Sequence, residues 1–216
     1  MRQLSTNILI LILTLTFISP VQSAFTGKIE YSIPIDYSKL TTQELEFKAH
    51  EYFYLANKYK GAEITEEMTN ALNIYSILQH VNPNEPLYCV KQGMLYDKIR
   101  KDRQAKGCFA RAMSVDKNYP DAYFEFGNFY YKRESYRKAL QYYIQAYRLG
   151  YETNYDLLEK MGDIYEKLGD TRSALKYLKL ASEQSPNENL TNQIKRIEAN
   201  DTVNYTYYEN TRIHRP

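Results

Sequence analysis

Residues 121–149 read DAYFEFGNFYYKRESYRKALQYYIQAYRL, and this stretch decides the fold. Both halves repeat apolar residues at helical spacing, and Glu134–Ser135 separates them. The apolar positions are Tyr123, Phe126, Tyr130, Ala139, Leu140, Tyr143 and Ala146. Ser135 stands just before the second half, where a side-chain oxygen can cap free backbone amides. The stretch therefore predicts two helices joined by a short turn.

The same hairpin recurs along the chain. Gly127 lies 34 residues after Gly93 and 35 residues before Gly162. The other positions that keep this spacing are Tyr96, Tyr130 and Tyr165, then Ala105, Ala139 and Ala174, then Ala112, Ala146 and Ala181. Such self-similarity is typical of stacked helical arrays, in which each unit buries an apolar face against its neighbour.

The order of aromatic, Gly, Tyr, Ala, aromatic and Ala resembles the tetratricopeptide repeat. A weaker first unit carries Ala56 in place of Gly and about three extra residues near Gly61–Thr65. Lys117 and Tyr151 stand where Pro is usual, and one residue is inserted before the fourth unit. The resemblance covers about residues 49–186. It implies an all-α, right-handed α-solenoid of about four hairpins, with units near 49–85, 86–119, 120–154 and 155–188.

Small residues are predicted to let the two helices of each hairpin approach closely. These residues are Gly93, Ala105, Gly127, Ala139, Gly162 and Ala174. In the third unit Tyr130 and Tyr143 would fill the space on either side, so a large residue at Ala139 should cost about 1–3 kcal/mol. The predicted helix ends are marked by Asp170 as a cap, Gly150 and Gly169 as left-handed residues, and Pro83 and Pro186 as stops.

The first 23 residues have the layout of a secretory signal peptide. Arg2 supplies a positive start, residues 8–18 (ILILILTLTFI) are almost wholly apolar, and Val21 and Ser23 precede a cut after Ser23. The apolar run is shorter than the roughly 18–20 residues that span a bilayer. Secretion to the outside or to a periplasm is therefore expected, with an uncleaved membrane anchor as the alternative.

The array is predicted to occupy residues 41–199 and to carry different segments at its two ends. Residues 24–40 alternate apolar and polar side chains and should form an extended arm before a capping box at Thr41 and Glu44. A covering helix is predicted near the C-terminal end from Leu190, Ile194 and Ile197. Residues 200–216 are polar and Tyr-rich and are expected to form a flexible tail.

Composition and motifs give no sign of catalysis. The formal charge of +2 favours neither nucleic acid nor anionic membranes as the main partner. The sequence has no metal-ligand spacing, phosphate-binding loop or nucleophile elbow, so we expect no enzyme activity, metal or cofactor. Cys89 and Cys108 stand on the two helices of one hairpin, and a disulfide between them or two separate thiols both remain open.

The resemblance implies a concave groove, lined by the first helix of each unit, that binds a peptide or a partner helix. The candidate groove residues are His50, Phe53, Asn57, Leu87, Val90, Met94, Lys98, Asp121, Phe124, Asn128, Tyr131, Lys132, Asp156, Glu159, Asp163 and Lys167. The middle of the groove is expected to be apolar and aromatic and the fourth unit acidic. A peptide with apolar anchors and a basic flank would complement it. Asp121 and Phe53 stand where basic residues would grip a C-terminal carboxylate, which argues against that mode.

The sequence therefore predicts an exported scaffold that binds a protein or peptide. The alternative is a structural envelope protein that associates with copies of itself. Nucleic-acid binding through stacked Tyr side chains is disfavoured, because most Tyr residues occupy packing positions and no basic stripe accompanies them.

Overall fold

The computed structural model describes residues 36–199, and the regular structure in that range is helical. The helices are α1 (Thr42–Lys58), α2 (Glu66–Val81), α3 (Pro86–Lys98), α4 (Asp102–Val115), α5 (Pro120–Tyr131), α6 (Tyr136–Ala146), α7 (Tyr155–Lys167), α8 (Thr171–Gln184) and α9 (Glu188–Glu198). Successive pairs from α1 to α8 form four hairpins, and each hairpin packs on the one before it. The predicted all-α solenoid is confirmed.

Each glycine of the repeat accepts a large side chain from the second helix of its own hairpin. A methyl group at Gly93 would lie 2.7 Å from Phe109 Cε1, and one at Gly162 would lie 2.6 Å from Leu178 Cδ2. Gly127 faces Tyr143 in the same way. The glycines thus make room for a buried side chain, beyond the close backbone approach that we expected. The partner alanines, Ala105, Ala139 and Ala174, are fully buried.

Most of the predicted helix ends are confirmed. Thr41 and Glu44 form a reciprocal capping box, and the Asp170 carboxylate accepts from the Ser173 amide at 3.0 Å. Gly150 and Gly169 have φ angles of 114° and 85°. The prediction for Ser135 was wrong, because its side chain makes no capping hydrogen bond.

Two irregular connections match the departures seen in the repeat. The first hairpin turns through residues 59–65, whereas α3 and α4 are joined by only residues 99–101. The third unit, one residue longer than the second, ends in an irregular segment, Tyr147–Tyr151, that follows α6 and kinks at Gly150. Tyr151 lies at the end of this segment, at the position where Pro is usual.

The two ends of the described range differ. Leu190 and Ile197 of α9 are buried against the fourth hairpin, as predicted for a covering helix. At the other end, Tyr37 and Leu40 pack against the core of the first hairpin. The predicted signal peptide and tail, and most of the arm, lie outside the described residues. Within 36–199, none of the helices has the length and apolar character needed to cross a membrane.

Candidate functional site

An open pocket of about 220 Å³ lies where the first helices of units one to three meet. Its lining residues are Asn57, Met94, Asp97, Lys98, Phe109, Glu125 and Lys132. Four of these, Asn57, Met94, Lys98 and Lys132, were predicted to line the groove. Phe109 reaches the floor from α4 through the notch left by Gly93. The structure therefore brings together one predicted groove residue from α1, two from α3 and one from the end of α5, and we call this site the pocket.

Lys98 is held by backbone groups at one wall of the pocket. Its ammonium donates to the carbonyl oxygens of Ala56 and Tyr59, at 2.5 Å for Tyr59. These carbonyls lie at the C-terminal end of α1, where oxygens lack helical partners and attract cations. Burial lowers the pKa of Lys98. Lys98 therefore fixes α1 against α3 and has little capacity left for a ligand.

Asp97 anchors the opposite wall. Its carboxylate is only 6% exposed and accepts from Arg133 at 2.7 Å and Lys132 at 2.8 Å. Arg133 also pairs with Asp102 and stacks 3.6 Å from the centre of the Phe129 ring. These contacts tie the second unit to the third and hold the pocket open at a fixed width. The Lys132 side chain is 62% exposed, so its ammonium still has donors free to reach a ligand.

A carboxyl group surrounded by lysines forms the centre of the site. Glu125 accepts from the Asn128 amide at 3.2 Å, and burial raises the pKa of Glu125. The positive charges of Lys132, Lys91 and Lys160 oppose that shift. Lys91, Glu125 and Lys160 were not among the predicted groove residues. They occupy the same position in successive units, 34 and 35 residues apart, so the repeat spacing could have found them.

The predicted apolar middle of the groove is covered. Val90 is 2% exposed, because it packs into the core shared by the second and third units. Phe124 is 8% exposed, with the Tyr151 ring centre 5.6 Å away and the Lys160 ammonium above its face. The Tyr151 hydroxyl donates to Asp121, which closes the contact. Val90 and Phe124 were predicted to line the groove, but neither side chain is exposed enough to contact a ligand.

The fourth unit presents acidic side chains that are partly engaged by their neighbours. Asp163 accepts from the Tyr131 hydroxyl at 2.7 Å and from Gln193 of α9 at 3.0 Å. Glu166 accepts from Gln193 and pairs with Arg196. The covering helix thus closes the end of the groove with polar contacts, while its apolar side covers the core.

The remaining predicted residues line the groove edges without meeting at one point. At the first unit His50 is exposed, and Phe53 packs on Tyr75 with the Lys91 ammonium 4.7 Å from its ring centre. The Asn57 amide donates to the Phe53 carbonyl oxygen at 2.8 Å. At the fourth unit, the groove positions are the half-buried Glu159, Asp156 paired with Lys160, and Lys167 over the Tyr136 ring.

Cys89 and Cys108 are separate thiols in this structure. Burial raises the pKa of Cys89, and burial together with Cys89 raises the pKa of Cys108 to about 11. Both thiols are therefore protonated near neutral pH and poorly nucleophilic. Among residues 36–199, no group of three or more His, Cys, Asp or Glu side chains is placed to hold a metal ion.

The comparisons with known proteins concern both sequence and fold. Residues 155–188 match the family model for the tetratricopeptide repeat. No curated protein sequence matches the chain significantly. The structure of YrrB, a TPR protein with an unusual peptide-binding site, is 26% identical with a TM-score of 0.55. That match covers 59% of this chain and 66% of YrrB, just under two thirds.

Two further solved structures share the fold at lower identity. PilF of Pseudomonas aeruginosa is 14% identical with a TM-score of 0.58, and the match covers 73% of this chain and 71% of PilF. TTC0263, a thermophilic TPR protein of Thermus thermophilus, is 18% identical with a TM-score of 0.56. That match covers 74% of this chain and 82% of TTC0263. The described helices therefore form an α-solenoid with the fold of the tetratricopeptide-repeat family.

Proposed function

We propose that this protein is an exported scaffold that binds a peptide segment of a partner protein in the groove formed by α1, α3, α5 and α7. The observation that carries the proposal is the pocket, where the first helices of three units meet around exposed donors and a partly exposed Met94. Met94 is the apolar anchor that remains, since Val90 and Phe124 are covered. The likeness to YrrB, which has a peptide-binding site, supports the same use of the fold.

The charges of the groove suggest which peptides fit. Lys132 and Lys91 lie at the half formed by the first three units, and Glu159 and Asp163 lie at the half formed by the fourth. A peptide that binds along the groove would place acidic residues near the lysines and basic residues near the fourth unit. Complementary charges of this kind contribute mainly to specificity and to the rate of association.

Export is the second part of the proposal. It is supported by the signal-peptide layout of residues 1–23. N-terminal sequencing of the protein recovered from the medium or the periplasm of an expressing host would test it. A chain that begins at Ala24 supports cleavage and export, whereas an intact N-terminus in the membrane fraction supports the anchor instead.

A random-peptide array tests the groove directly. The purified protein should select peptides that share an apolar residue flanked by acidic residues on one side and basic residues on the other. Lys132→Glu reverses a charge at the pocket, and Lys138→Glu makes the same change on α6, outside the groove. The native selection should persist in Lys138→Glu and weaken about tenfold in Lys132→Glu, as for one charge-assisted contact. Equal selections by all three proteins would contradict the proposal.

A further inference from the structure

One face of α1 exposes two aromatic side chains. Phe47 is 72% exposed and Tyr54 is 69% exposed, and they lie seven residues apart, which places them on the same side of the helix. His50, Glu51 and Lys58 are exposed on or beside this side. We call the surface formed by Gln43, Phe47, His50, Glu51, Tyr54 and Lys58 the α1 face.

The repeat identifies what this side of a first helix normally does. Tyr88 and Leu95 of α3 correspond to Glu51 and Lys58 of α1, and both are buried against the first unit. Phe129 of α5 and Ile164 of α7 hold the corresponding buried positions in later units. Glu51 and Lys58 therefore lie on the side of α1 that a preceding unit would cover, whereas Tyr54 holds the position of Lys91, beside the groove. Within the described residues no helix precedes α1 except the short 3-10 turn Tyr37–Lys39.

The chemistry of the α1 face disfavours another unit of the same kind. Such a unit would bury Glu51 and Lys58, which costs free energy unless both charges are paired. A matching partner must cover Phe47 and Tyr54 while supplying polar groups to the residues between and beside them. Phe47 and Tyr54 are also the most exposed large apolar side chains among the described residues.

A second copy of α1 meets these requirements. If two α1 helices cross antiparallel about a two-fold axis between His50 and Glu51, Phe47 of each copy meets Tyr54 of the other. The same operation places His50 opposite Glu51 and Gln43 opposite Lys58, so no two like charges are opposed. The imidazole can donate to the carboxylate. In the antiparallel arrangement the two helix dipoles also point in opposite directions, which is favourable.

We propose that this protein forms a two-fold dimer through the α1 face. The contact is small, because a 17-residue helix is about 25 Å long and one helix face falls short of the roughly 800 Å² per partner of a stable interface. The dimer should therefore dissociate in the micromolar range or above. The α1 face includes His50 at the edge of the groove but none of the residues that line the pocket, so one dimer would present two pockets.

Sedimentation equilibrium over a range of protein concentrations tests the dimer. The native protein should rise from monomer to dimer mass, and Phe47→Ser with Tyr54→Ser should remain a monomer with unchanged helix content. Val81→Ser removes an exposed apolar residue on α2 and should dimerise like the native protein. A native protein that stays monomeric, or a double variant that still dimerises, would overturn the proposal.

A charge exchange identifies the two-fold arrangement. Glu51→Lys places a lysine opposite His50 of the other copy, and His50→Glu places a second carboxylate opposite Glu51, so each variant alone should lose association. Mixed together, the two variants restore an opposite-charge or hydrogen-bonded pair at both positions and should form a heterodimer. Failure of the mixture to associate would refute the pairing.

Hydrogen exchange of α1 adds a second readout. In the dimer, protection of the α1 amides should increase with protein concentration. Protection that does not change with concentration would also overturn the dimer.

Peptide binding in the groove and dimerisation through the α1 face can be tested separately. The Phe47→Ser and Tyr54→Ser variant should select the native peptides, because neither residue lines the pocket. The Lys132→Glu variant should dimerise with native affinity. A native protein that dimerises but selects no peptides would count against the groove alone, and a native protein that selects peptides but stays monomeric would count against the α1 face alone.

Discussion

Alanine substitution at two glycines of one hairpin should have opposite effects. Gly93 lies in the middle of α3, where an added methyl group would come within 2.9 Å of three carbons of the Phe109 ring. Phe109 is 1% exposed and stacked on Phe126 at 5.3 Å, so the ring cannot turn away. Overpacking of this kind costs about 1–3 kcal/mol, and the better helix propensity of Ala offsets at most about 1 kcal/mol of that cost. We expect Gly93→Ala to lower the free energy of unfolding by about 1–2 kcal/mol.

Gly107 on α4 is the matched control. A methyl group there would meet no atom within 4 Å, so Gly107→Ala should raise the free energy of unfolding by up to about 1 kcal/mol. Urea unfolding followed by circular dichroism measures both changes, which should differ by about 1–3 kcal/mol. In a Phe109→Val background the cost of Gly93→Ala should largely disappear. Equal effects at the two glycines, or a cost of Gly93→Ala that persists in the Phe109→Val background, would refute the inference that Gly93 makes room for the Phe109 ring.

Three further changes test contacts elsewhere in the array. Glu134 has a φ of 55°, so Glu134→Gly should relieve strain and raise the free energy of unfolding by about 0.5–1 kcal/mol in the same assay. Asp97→Ala leaves Arg133 paired with Asp102 alone, and it should lower the free energy of unfolding by about 2–3 kcal/mol. Burial raises the pKa of Glu125 above its ordinary 4.5, so the native protein loses stability as the pH rises through that raised value. The glutamine of Glu125→Gln stays neutral at every pH. The stability of this variant relative to the native protein should therefore increase from mildly acidic to neutral pH. A stability difference that does not change with pH would contradict the buried carboxyl group.

The fold could be predicted because the repeat constrains each residue several times over. A glycine that recurs after 34 and 35 residues, with aromatic and small residues at fixed offsets, is compatible with few architectures. Local signals such as Thr41 with Glu44 agreed with the larger pattern. Ser135 failed as a cap because hydroxyl geometry at a helix start depends on the turn before it, which periodicity does not describe.

The site could be predicted only in part. Helical periodicity shows which side of α3 or α5 points toward the groove, and two of the residues it indicated, Met94 and Lys132, lie in the lining of the pocket. It does not show what a neighbouring unit lays over that side. Val90 is covered by residues of the third unit, and Phe124 by Tyr151 from the segment that follows α6. Accessibility thus depends on neighbouring units and on the segments between helices, and the pattern within one helix cannot supply it.

The segment between α6 and α7 covers one of the predicted groove positions. Gly127 and Gly162 are 35 residues apart instead of 34, and the irregular segment Tyr147–Tyr151 between the two helices kinks at Gly150. Tyr151 ends this segment, where its ring packs on Phe124 and its hydroxyl donates to Asp121. Val90 holds the same position in the second unit and is also buried, although no residue is inserted there. Burial of this position is therefore common to both units and only the covering side chain differs, so the accessible groove side chains must come from other positions, such as Met94 and Lys132.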